Sequence, residues 1–389
     1  MPALQGRARG RLEERRGPEP GRARLLLLDP PHGLGALRGR RRPLLPDPPQ
    51  PAAPERSRRL RRAAAFVFAL ALSALAAPGA TPARGPRPIA PLDASRELDE
   101  IAAQAAKETV AEFADKGLKE DGIAIALIDL TAPAPSPSFP SGGFRAAEPF
   151  YPASVVKIFY LADYEVEKEA GRLADTPELA RAVKDMITVS SNDATGFVVD
   201  CLTGTTSGPE LSGRAWDEWR EKRNAVNRFF AKRGGFPTLN ANQKTFCEDA
   251  YGREQAFREG DKNRNRMSAA DAARLFKEIA RGEIAGAAGT EEMLGLLARD
   301  IAGEAPLTEM EPEDARLAGE RLPKGSRLWA KSGDAYDVHH LVGRVVLPNG
   351  SEFVVAVFTK GVKTVAGVIP AVYGRVAAHF AKAKPMLAR

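Results

Sequence analysis

Three short groups of polar residues have the types and spacing that nucleophilic chemistry on an amide requires. The first is Ser154 with Lys157, which directly follows Tyr151-Pro152-Ala153. On a helix, this spacing places the hydroxyl and the amine on one face. A lysine amine becomes a base when burial or a nearby cation lowers its pKa, and the free N–H groups of a helix N-terminus suit an oxyanion. Taken alone, the pair is more typical of a helix cap followed by a surface lysine.

The other two groups are Ser190-Ser191-Asn192 and Lys331-Ser332-Gly333. The serine of the second group could relay a proton, and its asparagine could position Lys157 and a substrate amide. In the third, a lysine and a hydroxyl at the end of a strand could bind a carboxylate, and the glycine leaves room for a substrate backbone. In isolation, each group also fits a plain structural role, the second as a helix cap and the third as a strand exit.

In this order, the three groups resemble the S-x-x-K, S-x-N and K-[ST]-G motifs of class A β-lactamases and penicillin-binding proteins. The resemblance covers about residues 90–385 and includes the segments YPASVVK, MITVSSNDAT, RLWAKSGDAY and NRMSAADAARLFKEIARG. It implies an α/β (α+β) fold in which an antiparallel sheet is flanked by helices and an all-helical domain is inserted. It also implies a serine hydrolase acting on a β-lactam or a cell-wall peptide.

The resemblance assigns catalytic roles to three side chains. Ser154 attacks an amide carbonyl, Lys157 accepts or helps to accept its proton, and Ser190 passes a proton to the leaving nitrogen. The backbone amides of Ser154 and Asp334 would form the oxyanion hole. The product of this half-reaction is an acyl-enzyme on Ser154.

The resemblance also assigns substrate-binding roles. Asn192 would hold the substrate side chain, Lys331 and Ser332 would bind the carboxylate, and Gly333 would let the substrate backbone approach. No metal and no organic cofactor is implied.

The sequence departs from the family pattern in three places. Ser191 replaces the usual middle Asp, the stretch from Lys157 to Ser190 is short, and no Glu of an E-x-x-L-N motif is present to activate the deacylating water. The expected position falls near Gln243, and Glu248 or Glu254 further on could serve instead. Three functions therefore stay open: a divergent β-lactamase, a penicillin-binding or peptidase-like hydrolase with slow deacylation, and a non-catalytic domain of the same fold.

Charge and histidine content argue against other classes. The formal net charge is +7, but residues 1–62 hold 16 Arg against six acidic residues, so the remainder carries −3 and gives no support for nucleic-acid binding. Histidines are too few for a zinc hydrolase, and no G-x-S-x-G nucleophile elbow is present. We interpret His339 and His340 as structural residues of a hairpin.

The N-terminal region predicts export. Residues 1–57 are rich in Arg, Pro and Gly and should be disordered, and residues 58–77 have the basic stretch, apolar run and small residues of a signal peptide. An uncleaved membrane anchor is the alternative, and the true start of translation would lie near residue 56–60. We expect a periplasmic or secreted protein, monomeric, with residues 78–93 as a linker.

Hydrophobic periodicity predicts the arrangement of the body. An α/β sandwich domain is expected over 94–150 and 286–389, and a helical domain with an Ω-like loop over 151–285. Within them, we predict a loop over 132–143 and a helix over Ser268–Arg281 that begins with a cap. The two cysteines, Cys201 and Cys247, could pair in an oxidising compartment or remain free thiols.

Overall fold

A seven-stranded sheet forms the centre of the computed structural model, which describes residues 85–301, 313–362 and 365–382. The strands are β1 (Leu92–Ala94), β2 (Ile123–Asp129), β3 (Phe139–Phe144), β4 (Pro149–Phe150), β5 (Met267–Ser268), β6 (Ala298–Arg299), β7 (Arg327–Ala335), β8 (Val338–Val346) and β9 (Glu352–Lys360). Their order in the large sheet is β1-β3-β2-β9-β8-β7-β6, and β4 pairs with β5 separately. Only β1 and β3 pair in parallel among these described strands, so the sheet is antiparallel as predicted.

Helices cover both faces of the sheet. They are α1 (Arg96–Glu112), α2 (Lys157–Glu169), α3 (Pro177–Thr188), α4 (Asn192–Thr203), α5 (Gly213–Arg223), α6 (Ala225–Arg233), α7 (Arg253–Arg258), α8 (Ala269–Ala280), α9 (Ala287–Leu297), α10 (Glu313–Glu320) and α11 (Val368–Lys382). Helices α1, α10 and α11 share one apolar core with the sheet, while α2, α3, α4, α6, α8 and α9 contribute to a second core. None of the helices in the described ranges has the length and apolar character needed to cross a membrane.

The central strands are buried on both sides. In β2, Ala124, Ala126 and Ile128 belong to the core under α8, whereas the alternate residues Ile125 and Leu127 belong to the core under α1. Successive side chains of a strand point to opposite faces, so a strand between two helical layers must be apolar at every position. This explains the unbroken apolar run that predicted β2 and confirms the mixed α/β fold.

Helix α8 is positioned by the cap that the sequence predicted. The Ser268 hydroxyl accepts a hydrogen bond from the Asp271 amide, and the Asp271 carboxylate accepts one from the Ser268 amide. Such a capping box satisfies two N-terminal amides that would otherwise lack partners. Helix α8 therefore begins at a fixed position on the sheet.

The prediction of a loop over 132–143 is wrong at its C-terminal end, because β3 occupies Phe139–Phe144. Its glycines allow α1 to pack directly on the strand backbone. A Cβ on Gly142 would lie 2.7 Å from the Asp99 amide nitrogen, and the Asp99 carboxylate accepts a hydrogen bond of 2.7 Å from the Gly143 amide. Glycine suggested a turn in the sequence, but here it marks close approach of a helix.

The N-terminal predictions fall mostly outside the described residues. The extension over 1–57, the signal peptide over 58–77 and the first part of the linker lie there. The end of that linker forms the edge strand β1 instead of irregular structure. The division into a sandwich domain and a helical domain stays a prediction.

We expect Gly142→Ala to destabilise the protein and Gly295→Ala to stabilise it. The first Cβ meets the backbone of α1 at less than 3 Å, which should cost about 1–3 kcal/mol. Gly295 lies within α9, and a Cβ there meets nothing within 4 Å, so the gain in helix propensity should be up to about 1 kcal/mol. Urea unfolding of the two variants measures both changes, and equal effects would contradict the proposed packing of α1 on β3.

Candidate functional site

Ser154 lies in a tight turn at the start of α2. A short 3₁₀ helix over Ala153–Val156 leads directly into α2, and Ala153 has a φ of +46°. A non-glycine residue in this left-handed conformation costs free energy and persists only when its surroundings hold it there. Ser154 is partly exposed although both Ala153 and Val155 are buried. The turn therefore presents the predicted nucleophile at the surface of a rigid core helix.

Lys157 connects the first motif with the second. Its Nζ lies 2.8 Å from Asn192 Oδ1, 2.5 Å from the Ser190 carbonyl oxygen and 3.2 Å from Ser190 Oγ. The Lys157 side chain is fully buried, and burial lowers its pKa to about 7. A negative charge on the sulfur of the nearby Cys247 would act in the opposite direction. An amine with this pKa is neutral in a large fraction of molecules near neutral pH and can accept a proton.

The second motif occupies the turn between α3 and α4. Ser190 has a φ of +56°, and Ser191 caps α4 by accepting a hydrogen bond from the Ala194 amide. The left-handed Ser190 directs both its carbonyl and its hydroxyl to Lys157. The middle serine is a helix cap, as the structural interpretation expected, and its neighbours Ser190 and Asn192 contact the buried amine. A proton relay by Ser190 stays a prediction.

The sequence suggested that the third motif lies at the end of a strand. In the structure it lies inside β7. Strand β7 continues to Ala335, and Gly333 pairs with His340 on β8. Lys331 is fully buried, with its Nζ 2.9 Å from Ser190 Oγ. Its pKa is lowered first by burial and then by the charge of Lys157. The Ser190 hydroxyl thus lies between two buried amines.

Gly333 brings β7 against the nucleophile turn. A Cβ at this position would lie 2.5 Å from the Pro152 carbonyl oxygen and 3.0 Å from the Ser154 amide nitrogen, so no larger residue fits. Ser332, the neighbour of Gly333, is nearly buried. Asp334 follows Gly333 directly on β7, and the oxyanion hole between the amides of Ser154 and Asp334 stays a prediction. The structure brings the predicted site residues together, and their roles stay predictions.

His339 and His340 lie on β8, in the antiparallel hairpin of β7 and β8, as the sequence predicted. His340 is fully buried, its Nε2 lies 2.9 Å from the Tyr151 carbonyl oxygen, and its Nδ1 accepts a hydrogen bond of 3.1 Å from the Thr359 amide. Because Nδ1 accepts, Nε2 carries the proton and donates to Tyr151. His340 therefore ties the chain before Ser154 to two central strands.

The three positions considered for a deacylating base have different surroundings. Gln243 is buried and donates a hydrogen bond to the Asn263 carbonyl oxygen, and Glu248 is exposed. Glu254 is buried and forms an ion pair of 2.7 Å with Arg223. Such a pair leaves the carboxylate committed to its guanidinium partner, because removing one buried charge from the other is costly.

A ladder of amide side chains holds the irregular segment that carries these positions. Asn242 donates to Asn224 and Asn263, and the Asn265 carboxamide oxygen accepts hydrogen bonds from the amides of Asn242 and Gln243. Side-chain amides supply both donors and acceptors, so they can satisfy backbone groups where no helix or strand does. The Asn-rich composition between residues 236 and 267 reflects this network.

One side chain next to the motifs was not predicted from the sequence. Cys247 Sγ lies 3.4 Å from Asn192 Nδ2, and Cys247 is exposed. Cys247 lies in the same segment as Gln243, Glu248 and Glu254, which could have indicated a place near the site. The sequence suggested only disulfide formation for this cysteine. Cys201 and Cys247 are both free thiols, which resolves that alternative. No group of three or more His, Cys, Asp or Glu residues in the described ranges could hold a metal ion.

A narrow pocket lies next to the nucleophile turn. Tyr151 and Tyr336 form two of its walls, and the Arg264 guanidinium lies 4.1 Å from the first ring centroid and 4.8 Å from the second. Tyr336 directly follows β7, so both the first and the third motif are adjacent to this pocket. Two aromatic rings and one guanidinium group therefore line this pocket beside the predicted nucleophile.

Comparisons with known proteins agree with this fold. A model of the beta-lactamase enzyme family matches residues 163–379. No curated protein matches the sequence. Solved structures of similar fold include PBP-A, with 18% identity, a TM-score of 0.51 and coverage of 75% of this chain and 99% of that one.

Two β-lactamase structures show a comparable likeness. A beta-lactamase from Sphaerobacter thermophilus is 19% identical, with a TM-score of 0.51 and coverage of 74% of this chain and 98% of that one. The TLA-3 extended-spectrum beta-lactamase is 14% identical, with a TM-score of 0.52 and coverage of 72% and 100%. At these identities, the likeness shows the fold.

We expect His340 to make the folded protein sensitive to acid. Burial lowers its pKa from 6.5 to about 4, so between these values the unfolded chain binds a proton that the folded protein does not. Stability from this group is complete above pH 6.5 and is lost as the pH falls to 4, by about 3 kcal/mol. Urea unfolding at pH 7 and pH 4 should show that His340→Gln, which does not titrate, loses less stability than the wild type. His379→Gln, at a partly exposed site, should behave like the wild type, and the same loss in all three proteins would contradict the assignment.

Proposed function

The chain belongs to the beta-lactamase enzyme family, and from this premise we propose that it is a serine hydrolase that forms an acyl-enzyme on Ser154. The observation that carries the proposal is the contact of Ser190 Oγ with both buried amines, Lys157 at 3.2 Å and Lys331 at 2.9 Å. A lone S-x-x-K pair would not require a second lysine in this position. Two amines on one hydroxyl form a path for a proton between nucleophile and leaving group.

The proposed acylation begins when neutral Lys157 accepts the Ser154 proton while Ser154 Oγ attacks the carbonyl carbon of an amide. The negative charge on the carbonyl oxygen would be stabilised by the amides of Ser154 and Asp334. The C–N bond then breaks, and the proton passes from Lys157 through Ser190 to the leaving nitrogen. The product is an ester on Ser154, and each proton removed from a group has been returned or transferred.

The substrate class follows from the groups beside this path. Lys331 and Ser332 would bind a carboxylate next to the broken bond, and Asn192 would bind the amide of the substrate side chain. A β-lactam and a cell-wall peptide ending in a carboxylate share these features. We propose acylation by β-lactams as the activity.

A second candidate, a penicillin-binding or peptidase-like hydrolase with slow deacylation, is favoured by the position of Glu254. This carboxylate is 1% exposed and is paired with Arg223, so it lacks the freedom to activate water. Export to the periplasm or the medium and a monomeric state are further proposals, which rest on the sequence.

We expect the full-length protein to gain the mass of one benzylpenicillin molecule on Ser154. Intact-mass spectrometry should show the adduct in the wild type and in the matched control Ser136→Ala, whose serine lies on the loop before β3, but not in Ser154→Ala. A chromogenic cephalosporin read in parallel measures turnover. Colour over many turnovers supports a β-lactamase, whereas a stable adduct without colour supports the second candidate. Absence of both would exclude the proposed chemistry and leave a non-catalytic domain.

We expect the rate of adduct formation to rise about tenfold between pH 6 and pH 8. The pKa of Lys157 is about 7, so its neutral and basic form increases by that factor over this range. Quenched time courses analysed by mass spectrometry give the rate at each pH. Lys157→Arg, which stays charged, should not form the adduct, and a profile that is flat or falls with pH would show that Lys157 is not the base.

A further inference from the structure

The side chain of Asn192 joins two groups at its opposite ends. Its carboxamide oxygen lies 2.8 Å from Lys157 Nζ, and its Nδ2 donates a hydrogen bond of 3.4 Å to Cys247 Sγ. An amide side chain has one accepting end and one donating end. The Asn192 amide accepts a hydrogen bond from Lys157 only when its oxygen faces the amine. In that orientation its nitrogen points to the sulfur of Cys247.

Cys247 is in electrostatic contact with the amine as well. Cys247 lies close enough to Lys157 that a negative charge on its sulfur would raise the pKa of the amine, against the effect of burial. The same residue is exposed, as are its neighbours Phe246 and Glu248. The thiol thus contacts Asn192, a predicted substrate-binding residue, and is accessible to solvent at the same time.

We propose that Cys247 is a positioning residue of the acylation site, which acts through Asn192 on Lys157 and on the bound substrate amide. The proposal rests on the proposed function. The sulfur fixes the donating end of the Asn192 amide, so the accepting end stays directed to the amine. Without an acceptor at position 247, the amide can rotate, and Lys157 loses one of its fixed partners. Cys247 also makes the site sensitive to reagents that modify thiols.

The first test compares substitutions that keep or remove the acceptor in the full-length protein. We expect Cys247→Ala to slow adduct formation by benzylpenicillin about fivefold, the effect of losing one neutral hydrogen bond. Cys247→Ser retains an acceptor and should stay within about twofold of the wild type. Cys201→Ala is the matched control and should not change the rate. An unchanged melting temperature in Cys247→Ala would show that the loss is not a folding defect.

The second test modifies the thiol directly in the Cys201→Ala background. Iodoacetamide forms a C–S bond to Cys247, releasing iodide while the thiol proton passes to solvent. The bulky product should slow Ser154 acylation at least about as much as Cys247→Ala does. Prior formation of the penicillin adduct should protect Cys247 from alkylation. The protein with both Cys201→Ala and Cys247→Ser should be insensitive to the reagent.

The outcomes separate this inference from the proposed function. If the wild type forms no adduct on Ser154, the proposed function fails. If it does, but Cys247→Ala and the alkylated protein acylate at the wild-type rate, the role of Cys247 is overturned.

Discussion

The burial of the Lys157 amine is the constraint on which the site depends. A buried amine needs acceptors from the protein, since transfer out of water without hydrogen bonds is costly. Ser190 and Asn192 provide these acceptors, and Ser190 does so from a left-handed backbone conformation. Lys331 approaches the same hydroxyl from β7. Helix α2, the turn before α4 and β7 must therefore keep fixed relative positions, or a buried charge loses its partners.

The core around α2 provides this rigidity. Ile158, Phe159 and Leu161 are fully buried within about one turn of α2, so this part of the helix is surrounded by protein instead of lying on a surface. The same burial that lowers the pKa of Lys157 also fixes the turn that carries Ser154. Site groups held by packed elements keep their geometry better than groups on free loops. The lowered pKa of Lys157 and the fixed position of Ser154 thus have one physical cause, the burial of α2.

Local patterns were sufficient to predict much of this arrangement, whereas contacts between distant segments were not. The capped start of α8 and the apolar strand β2 follow from neighbouring residues, and both are confirmed. The motifs identified Ser154, Lys157 and Lys331, but their distances depend on how the strands and helices pack. Strand β3 was missed because Gly142 and Gly143 indicate a turn unless the approach of α1 is known. Cys247 was overlooked for the same reason, as its contact with Asn192 spans 55 residues.

The groups proposed for acylation and the positions considered for deacylation depend on different parts of the structure. The groups proposed for acylation lie on α2 and the turn before it, on the turn before α4 and on β7, and these elements pack in the core. The positions considered for deacylation lie on an irregular segment that is held by hydrogen bonds of side-chain amides, such as those of Asn242 and Asn265. Glu248 is exposed and lines the pocket beside the nucleophile turn, so a substitution there changes the pocket without disturbing the core. Under the proposed function, the lifetime of the acyl-enzyme would depend on this segment, where Glu254 is committed to Arg223. Its formation would depend on the groups held by the core and on Cys247 beside Asn192.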